Sequence, residues 1–212
     1  MKSLYKLSIL ISLFTTLFAG VNIAHANGNY TRVELPKGVV VELPKNWTII
    51  TNNQRITLDS AVQAKTEKLG MWDAKSELSF AANYYDDQGK TAGIFNIRYY
   101  ADSDVTQLDA KSTSPNEIKE FDAVLRQNLV PGIEVSGNRL LGWNGTSKQS
   151  INGAIAFITE YTRSSPQGIS FRVRLVRFFN AHKSFTITIS YREDQGYFLR
   201  PISDRIIGSI RI

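Results

Sequence analysis

The sequence predicts an α+β domain built on a mainly antiparallel sheet, and three observations carry that reading. Phe171, Val173 and Leu175 alternate with Ser170, Arg172 and Arg174, and Phe185, Ile187, Ile189 and Tyr191 alternate with Thr186, Thr188 and Ser190. Period-two alternation marks strands with one face buried, and the links between these runs are too short for parallel crossovers. Ser114-Pro115-Asn116-Glu117 supplies an N-cap, a proline at the first helical position and a capping-box glutamate. Ile118, Phe121, Val124, Leu125 and Leu129 then recur at helical spacing. After Tyr191 the period changes to Leu199, Ile202, Ile206, Ile207 and Ile210, which reads as a C-terminal helix packed across the sheet.

From the N-terminus, the first 26 residues read as an export signal. Lys2 and Lys6 precede an apolar stretch, Leu7 to Phe18, broken only by Ser and Thr, and Ala24-His25-Ala26 offers small residues where signal peptidase reads. A spanning helix needs roughly 20 apolar residues, so a cleaved leader is expected rather than a retained anchor. Cleavage after Ala26 leaves Asn27 to Ile212 as one domain, periplasmic or secreted, with no transmembrane anchor. The chain has no cysteine, which closes the lipoprotein route.

Asn27 to Arg32 is a polar lead-in. Gly38 to Leu43 is β-branched and reads as a strand, Pro44-Lys45-Asn46 turns, and Trp47 to Ile50 resumes in extended form. Leu58, Ala61, Val62, the Lys65 stem and Leu69 predict a helix over Thr57 to Leu69, stopped by Gly70. Leu78 to Tyr85 and Ala92 to Tyr100 form a hairpin about Asp86 to Lys90, and Ala101 to Thr113 reads as a polar loop. The capped helix should stop before Pro131-Gly132. Four strands follow: Ile133 to Trp143, turning at Asn144 to Ser147; Ile151 to Arg163, turning at Ser164 to Gly168; Ile169 to Phe178; and Phe185 to Tyr191. Asp194 is placed to cap the last helix, and Pro201 must sit near its start or kink it.

Composition excludes several chemistries. Without cysteine there is no thiol catalysis and no cysteine-ligated metal. Of the two histidines, His25 belongs to the leader, so His182 stands alone in the mature domain and reads as an ordinary turn residue. No Gly-x-Ser-x-Gly elbow accompanies it. Asp102-Ser103-Asp104, with Asp109 beyond, lacks the glycine and distal glutamate of a calcium loop and reads as a solvated loop. Asp86 and Asp87 are ordinary turn carboxylates. The 25 basic and 19 acidic residues give a mild excess of +6, spread along the chain and including Lys2 and Lys6. A solvated surface accounts for it, weak attraction to anionic lipids or polymers being the alternative. No nucleic-acid motif is present. No cofactor, metal or catalytic residue is expected, and the reading is non-enzymatic.

The residues most suggestive of a site are basic and aromatic. Arg172 and Arg174 share one strand face, with Arg177 and Arg192 placed nearby. If the hairpin turns about Pro166, Arg172 faces Glu160 across the ladder, a cross-strand ion pair. The alternative is an anion-binding or partner-docking face, since guanidinium groups suit carboxylates and phosphates. Trp47 and Trp143 fit a core, whereas Trp72 sits in the loop Leu69 to Asp73, where an exposed ring would mark a binding edge. The candidate set is therefore Arg172, Arg174, Arg192 and Trp72, facing a protein partner or envelope component. Two rival readings are a carrier of a small apolar ligand or lipid and a hydrolase using carboxylates alone.

Two segments carry a family resemblance. Gly38-Val39-Val40-Val41-Glu42-Leu43-Pro44-Lys45-Asn46-Trp47 is similar to the "strand, then Leu-Pro-x-x-Trp" opening of PsbP-like domains, related to the extrinsic photosystem II protein. Phe185 to Tyr191, an acidic turn and a helix closing on Ile206-Ile207-Gly208-Ser209-Ile210 resemble that family's ending. The resemblance implies an α/β/α sandwich with a central antiparallel sheet, used for binding or assembly, and its motifs are structural rather than catalytic.

Overall fold

The computed structural model describes residues 23–26, 29–57, 60, 76–100, 105–180 and 184–212. Strands β1 (Ile23–Ala26), β2 (Tyr30–Glu34) and β3 (Val40–Pro44) form a small sheet. Strands β4 (Thr48–Ile49), β5 (Ser76–Tyr85), β6 (Thr91–Tyr100), β7 (Arg139–Ile151), β8 (Ala154–Ser164), β9 (Ser170–Phe178) and β10 (Ser184–Arg192) form a seven-stranded sheet in the order β4-β5-β6-β10-β9-β8-β7. All of its pairings are antiparallel. Helices α1 (Gln107–Ser112) and α2 (Pro115–Val135) cover one face, and α3 (Gly196–Ser209) together with the small sheet covers the other.

Between the large sheet and α3 the layer is filled. Phe95, Ile187 and Ile189 of the sheet, Val33 and Val41 of the small sheet, and Ile206 and Ile210 belong to one buried cluster. On the opposite face Phe121 of α2 meets Phe157 edge-on at 5.3 Å, and Ile133 packs with Tyr161 and Val173. The central strands therefore bury both faces, and even Thr186 and Ser190 of β10 are buried. Helical coverage on two sides is what makes this an α/β/α arrangement.

The two segments that resemble the PsbP-like pattern meet each other. The Glu42 N–H donates to Ser209 Oγ at 2.8 Å, and Val40 and Arg211 exchange backbone hydrogen bonds at 2.9 and 3.0 Å. Arg205 of α3 reaches Glu42 at 3.1 Å and lies over the Tyr30 ring. Trp47 is buried against β6, where a Cβ on Gly93 would stand only 3.1 Å from the indole; glycine makes room for the ring.

Several elements differ from the sequence expectation. The stretch expected as a polar loop before Ser114 contains α1, whose capping box joins Thr106 and Asp109. Helix α2 begins at the expected cap, with Ser114 and Glu117 bonded reciprocally, but continues through Pro131 to Val135. Pro131 forfeits one backbone bond, and the burial of Ile133 one half-turn later offsets that loss. Strand β7 consequently starts at Arg139 rather than Ile133. It absorbs the expected turn at Asn144 to Ser147 through register shifts between Leu140 and Gly142 and between Trp143 and Gly145. The hairpin turns instead at Asn152-Gly153, with φ of 48° and 86°, the Asn-Gly geometry that matches strand twist. Asp194 does not cap α3, which has no side-chain cap; it pairs with Arg192. Residues 52–57 and 60 are helical, ahead of the expected start at Thr57. Most of the expected Thr57 to Leu69 helix, Trp72, Asp102 to Asp104 and His182 lie outside the described residues.

Candidate functional site

Strand β9 places Arg172 and Arg174 on the face beneath α3, two residues apart. The register differs from the sequence expectation by two residues. Arg174, not Arg172, stands opposite Glu160, while Arg172 faces Thr162 and Tyr191. Arg174 donates from Nε to Glu160 Oε1 at 2.8 Å, and its Nη1 donates to Asp204 and Ser203 of α3. Its side chain is only 15% exposed, and its Nε and Nη1 groups both have protein acceptors. Arg174 is a clamp between strand and helix.

Arg192 is also occupied. It donates to Asp86 in the β5–β6 turn at 2.6 Å and to Asp194. Asp86 accepts in addition from the Lys90 and Gln88 backbone amides, and these bonds, the Lys90 amide foremost, hold its carboxyl below the usual range. The Arg192 guanidinium does the same for Asp194. Strand alternation puts Arg192 and Arg177 on the face opposite Arg172. Arg177 bonds Thr186 and lies over Tyr100 and Phe121. The expected basic patch is thus divided between two faces of the sheet.

Arg172 differs. Among the described residues it pairs with Glu193 alone, at 3.3 Å, and its side chain is about one-third exposed. It lines an open groove of about 400 Å³ with Tyr191, Glu193, Gly196, Tyr197, Arg200 and Pro201. Tyr197, on the first turn of α3, is 98% exposed. Burial raises the Tyr191 hydroxyl above its ordinary pKa, opposed by Arg172, Arg174 and Arg200. Tyr191 is therefore a neutral donor in the groove floor. Two guanidinium groups beside an exposed ring suit a carboxylate-bearing partner.

Tyr197 and Arg200 are absent from the sequence-derived set, although a signal existed. Both fall off the Leu199–Ile202–Ile206 stripe, so neither has a place in the core. Trp47 and Trp143 are structural: Trp143 stacks on Tyr161 at 5.6 Å and donates Nε1 to Asp122. The paired carboxylates next to this region, Glu160 with Asp204 and Asp86 with Asp194, are each bridged by an arginine. Asp86 and Asp194, both with lowered pKa, are poorly placed to donate a proton. Among the described residues no group of three or more potential ligands gathers as a metal site, and no helix is long and apolar enough to cross a membrane.

No family model matches the chain, and no curated protein does. Among solved structures, cyanobacterial PsbP (CyanoP) from Synechocystis sp. PCC 6803 is similar at a TM-score of 0.53 and 11% identity, covering 90% of this chain and 98% of that one. The fold is PsbP-like. LpqN of Mycobacterium tuberculosis, described as involved in cell envelope biogenesis, is similar at a TM-score of 0.43 and 12% identity, over 90% of this chain and 89% of that one. A protein of unknown function from Pseudomonas aeruginosa, PA94, follows at 0.41 and 15%, over 87% of this chain and 98% of that one. In the PsbP-like frame, α3 is the C-terminal helix whose closing residues clasp β3, and the groove lies at its opposite, N-terminal end.

Proposed function

We propose that this protein is exported through cleavage after Ala26 and acts in the periplasm or medium as a non-enzymatic docking module for a protein partner. The groove between β9, β10 and the first turn of α3 is the docking face. The observation that carries the reading is the conjunction of Arg172, Arg200 and the 98% exposed Tyr197 along one open groove. Arginine and tyrosine are the residue types that dominate interface energetics, and the paired positive charges select an acidic segment.

The test replaces Tyr197 with a photo-crosslinking amino acid in cells and compares the adducts with those of the same protein carrying Arg172→Glu and Arg200→Glu. A discrete protein adduct, lost on charge reversal and weakened by salt, is expected. An adduct pattern indifferent to both reversals would sink the assignment. A carrier role has one observation in its favour, a second groove of about 390 Å³ walled by Tyr30, Pro44, Phe198 and Ile202. Native mass spectrometry of the exported protein decides it, because a carrier retains a ligand mass that denaturation removes.

A further inference from the structure

We propose that removal of the leader uncovers a strand-docking edge on β2, and that an extended segment of a partner polypeptide takes the place residues 23–26 hold in the full chain. The inference rests on the export reading and adds a second contact surface to it. Strand β1 lies wholly within the segment lost by cleavage after Ala26. In the full chain it pairs antiparallel with β2, from Ile23 opposite Val33 to Ala26 opposite Tyr30. The seat for a strand is therefore observed occupied, by residues the mature protein would not keep.

The ladder shows which backbone groups are released. Residues of an antiparallel strand alternate in the neighbour they bond. Val40 gives its N–H to the Arg211 carbonyl and Glu42 gives its N–H to Ser209 Oγ, both pointing away from β2. Val41 and Leu43 therefore turn toward β2, and their register partners Val33 and Thr31 are the residues bonded to β3. Tyr30 and Arg32 direct their N–H and C=O groups to β1. Once β1 is gone, these groups form a free edge.

Two further observations make that edge a docking site. It stays ordered without β1, because Val33 and Val41 are buried in the main core and β3 is clasped to the C-terminus. A groove of about 140 Å³ runs beside it, walled by Thr31, Val33, Leu43, Trp47 and Ile49. Trp47 is 7% exposed, and its indole Nε1 is buried without a hydrogen-bond acceptor. A buried donor left unpaired is costly. An incoming strand that presents a short acceptor-bearing side chain, such as Ser or Asn, would satisfy it. This is the division of labour in strand addition, with main-chain bonds for affinity and a side pocket for specificity. A second copy of the chain fits less well. Pairing two five-residue strands buries far less than the roughly 1,000 Å² a stable homodimer needs.

The test uses the exported protein as cells make it, isotopically labelled, with its intact mass read first. The probe is a synthetic peptide of residues 21–27. At saturation it should slow hydrogen exchange at the Arg32 amide about tenfold or more, as a new ladder bond does, and shift the Trp47 indole resonance, leaving the Val33 amide unchanged. Methylating the probe's Ala24 nitrogen, which faces Arg32, should abolish the effect; methylating its His25 nitrogen should not. A mass beginning at Asn27 with no slowing at Arg32, or with equal loss from both methylated probes, overturns the proposal alone. Concentration-dependent dimerisation that by itself protects Arg32 assigns the edge to a second copy and also overturns it. A mass that retains the leader overturns the export reading, and the proposal falls with it.

Discussion

The two ends of α3 treat similar arginines in opposite ways. At the C-terminal half, Arg174 is gripped by Glu160 and Asp204, Ile206 and Ile210 are fully buried, and Ser209 is bonded to β3. At the N-terminal turn, Arg172 has one exposed partner, Tyr197 is bare, and a groove lies open. Arg172 and Arg174 share a strand, a face and a residue type. What separates them is the part of the helix above: Asp204 stands over one, and the first turn leaves the other uncovered. One helix thus combines a structural clasp with a surface still free to bind.

That contrast can be broken most severely at the clasp. Ile206→Ala should cost about 3 kcal/mol of unfolding free energy, the usual range for truncating a fully buried side chain, whereas Tyr197→Ala should stay within about 0.5 kcal/mol. Urea denaturation of both variants measures the difference, and equal losses would mean that the first turn is as structural as the last. A finer comparison is Arg174→Ala against Arg172→Ala. Removing Arg174, whose own side chain is 15% exposed, breaks its pairs with the partly solvated Glu160 and Asp204 and should cost about 1 kcal/mol; removing Arg172 should cost about 0.5 kcal/mol or less while reducing partner capture. Comparable destabilisation by the two would erase the distinction between clamp and docking residue.

The smallest effect is a pH dependence at the hairpin end of the sheet. Asp86 has a folded-state pKa below its ordinary 3.8, chiefly through the Lys90 amide. A lowered carboxylate pKa contributes stability that is present above the unfolded value and lost as pH falls through the folded one. Asp86→Asn should therefore be less stable than the parent at neutral pH, with the gap closing below about pH 4. A gap that persists unchanged in acid would assign the stabilisation to hydrogen bonding that the amide cannot reproduce, rather than to charge.

The elements that were legible in the sequence are those whose signals are local. The Ser114–Glu117 capping box, the Asp86 to Lys90 turn and the alternation in β9 and β10 depend on residues within a few positions of one another. The misplaced elements depend on distant contacts. Pro131 reads as a helix stop until Ile133 is seen against Tyr161 and Val173. Asn144-Gly145 and Asn152-Gly153 are equivalent turn signals, and β8 decides between them by pairing continuously with the strand that contains the first. The site was half legible: Arg172 was marked by its residue type, but Arg174 and Arg192 carried the same mark and are consumed by ion pairs.

By itself the sequence determined the strand and helix periods, the helix cap, the absence of thiol chemistry and the leader-like N-terminus, because each is a property of neighbouring residues or of composition. The tertiary structure decided the cross-strand register, the joining of Glu42 to Ser209 across the chain, and which arginine remains available. Those outcomes turn on which residues meet after folding. A two-residue shift of β9 along β8 would set Arg172, rather than Arg174, opposite Glu160.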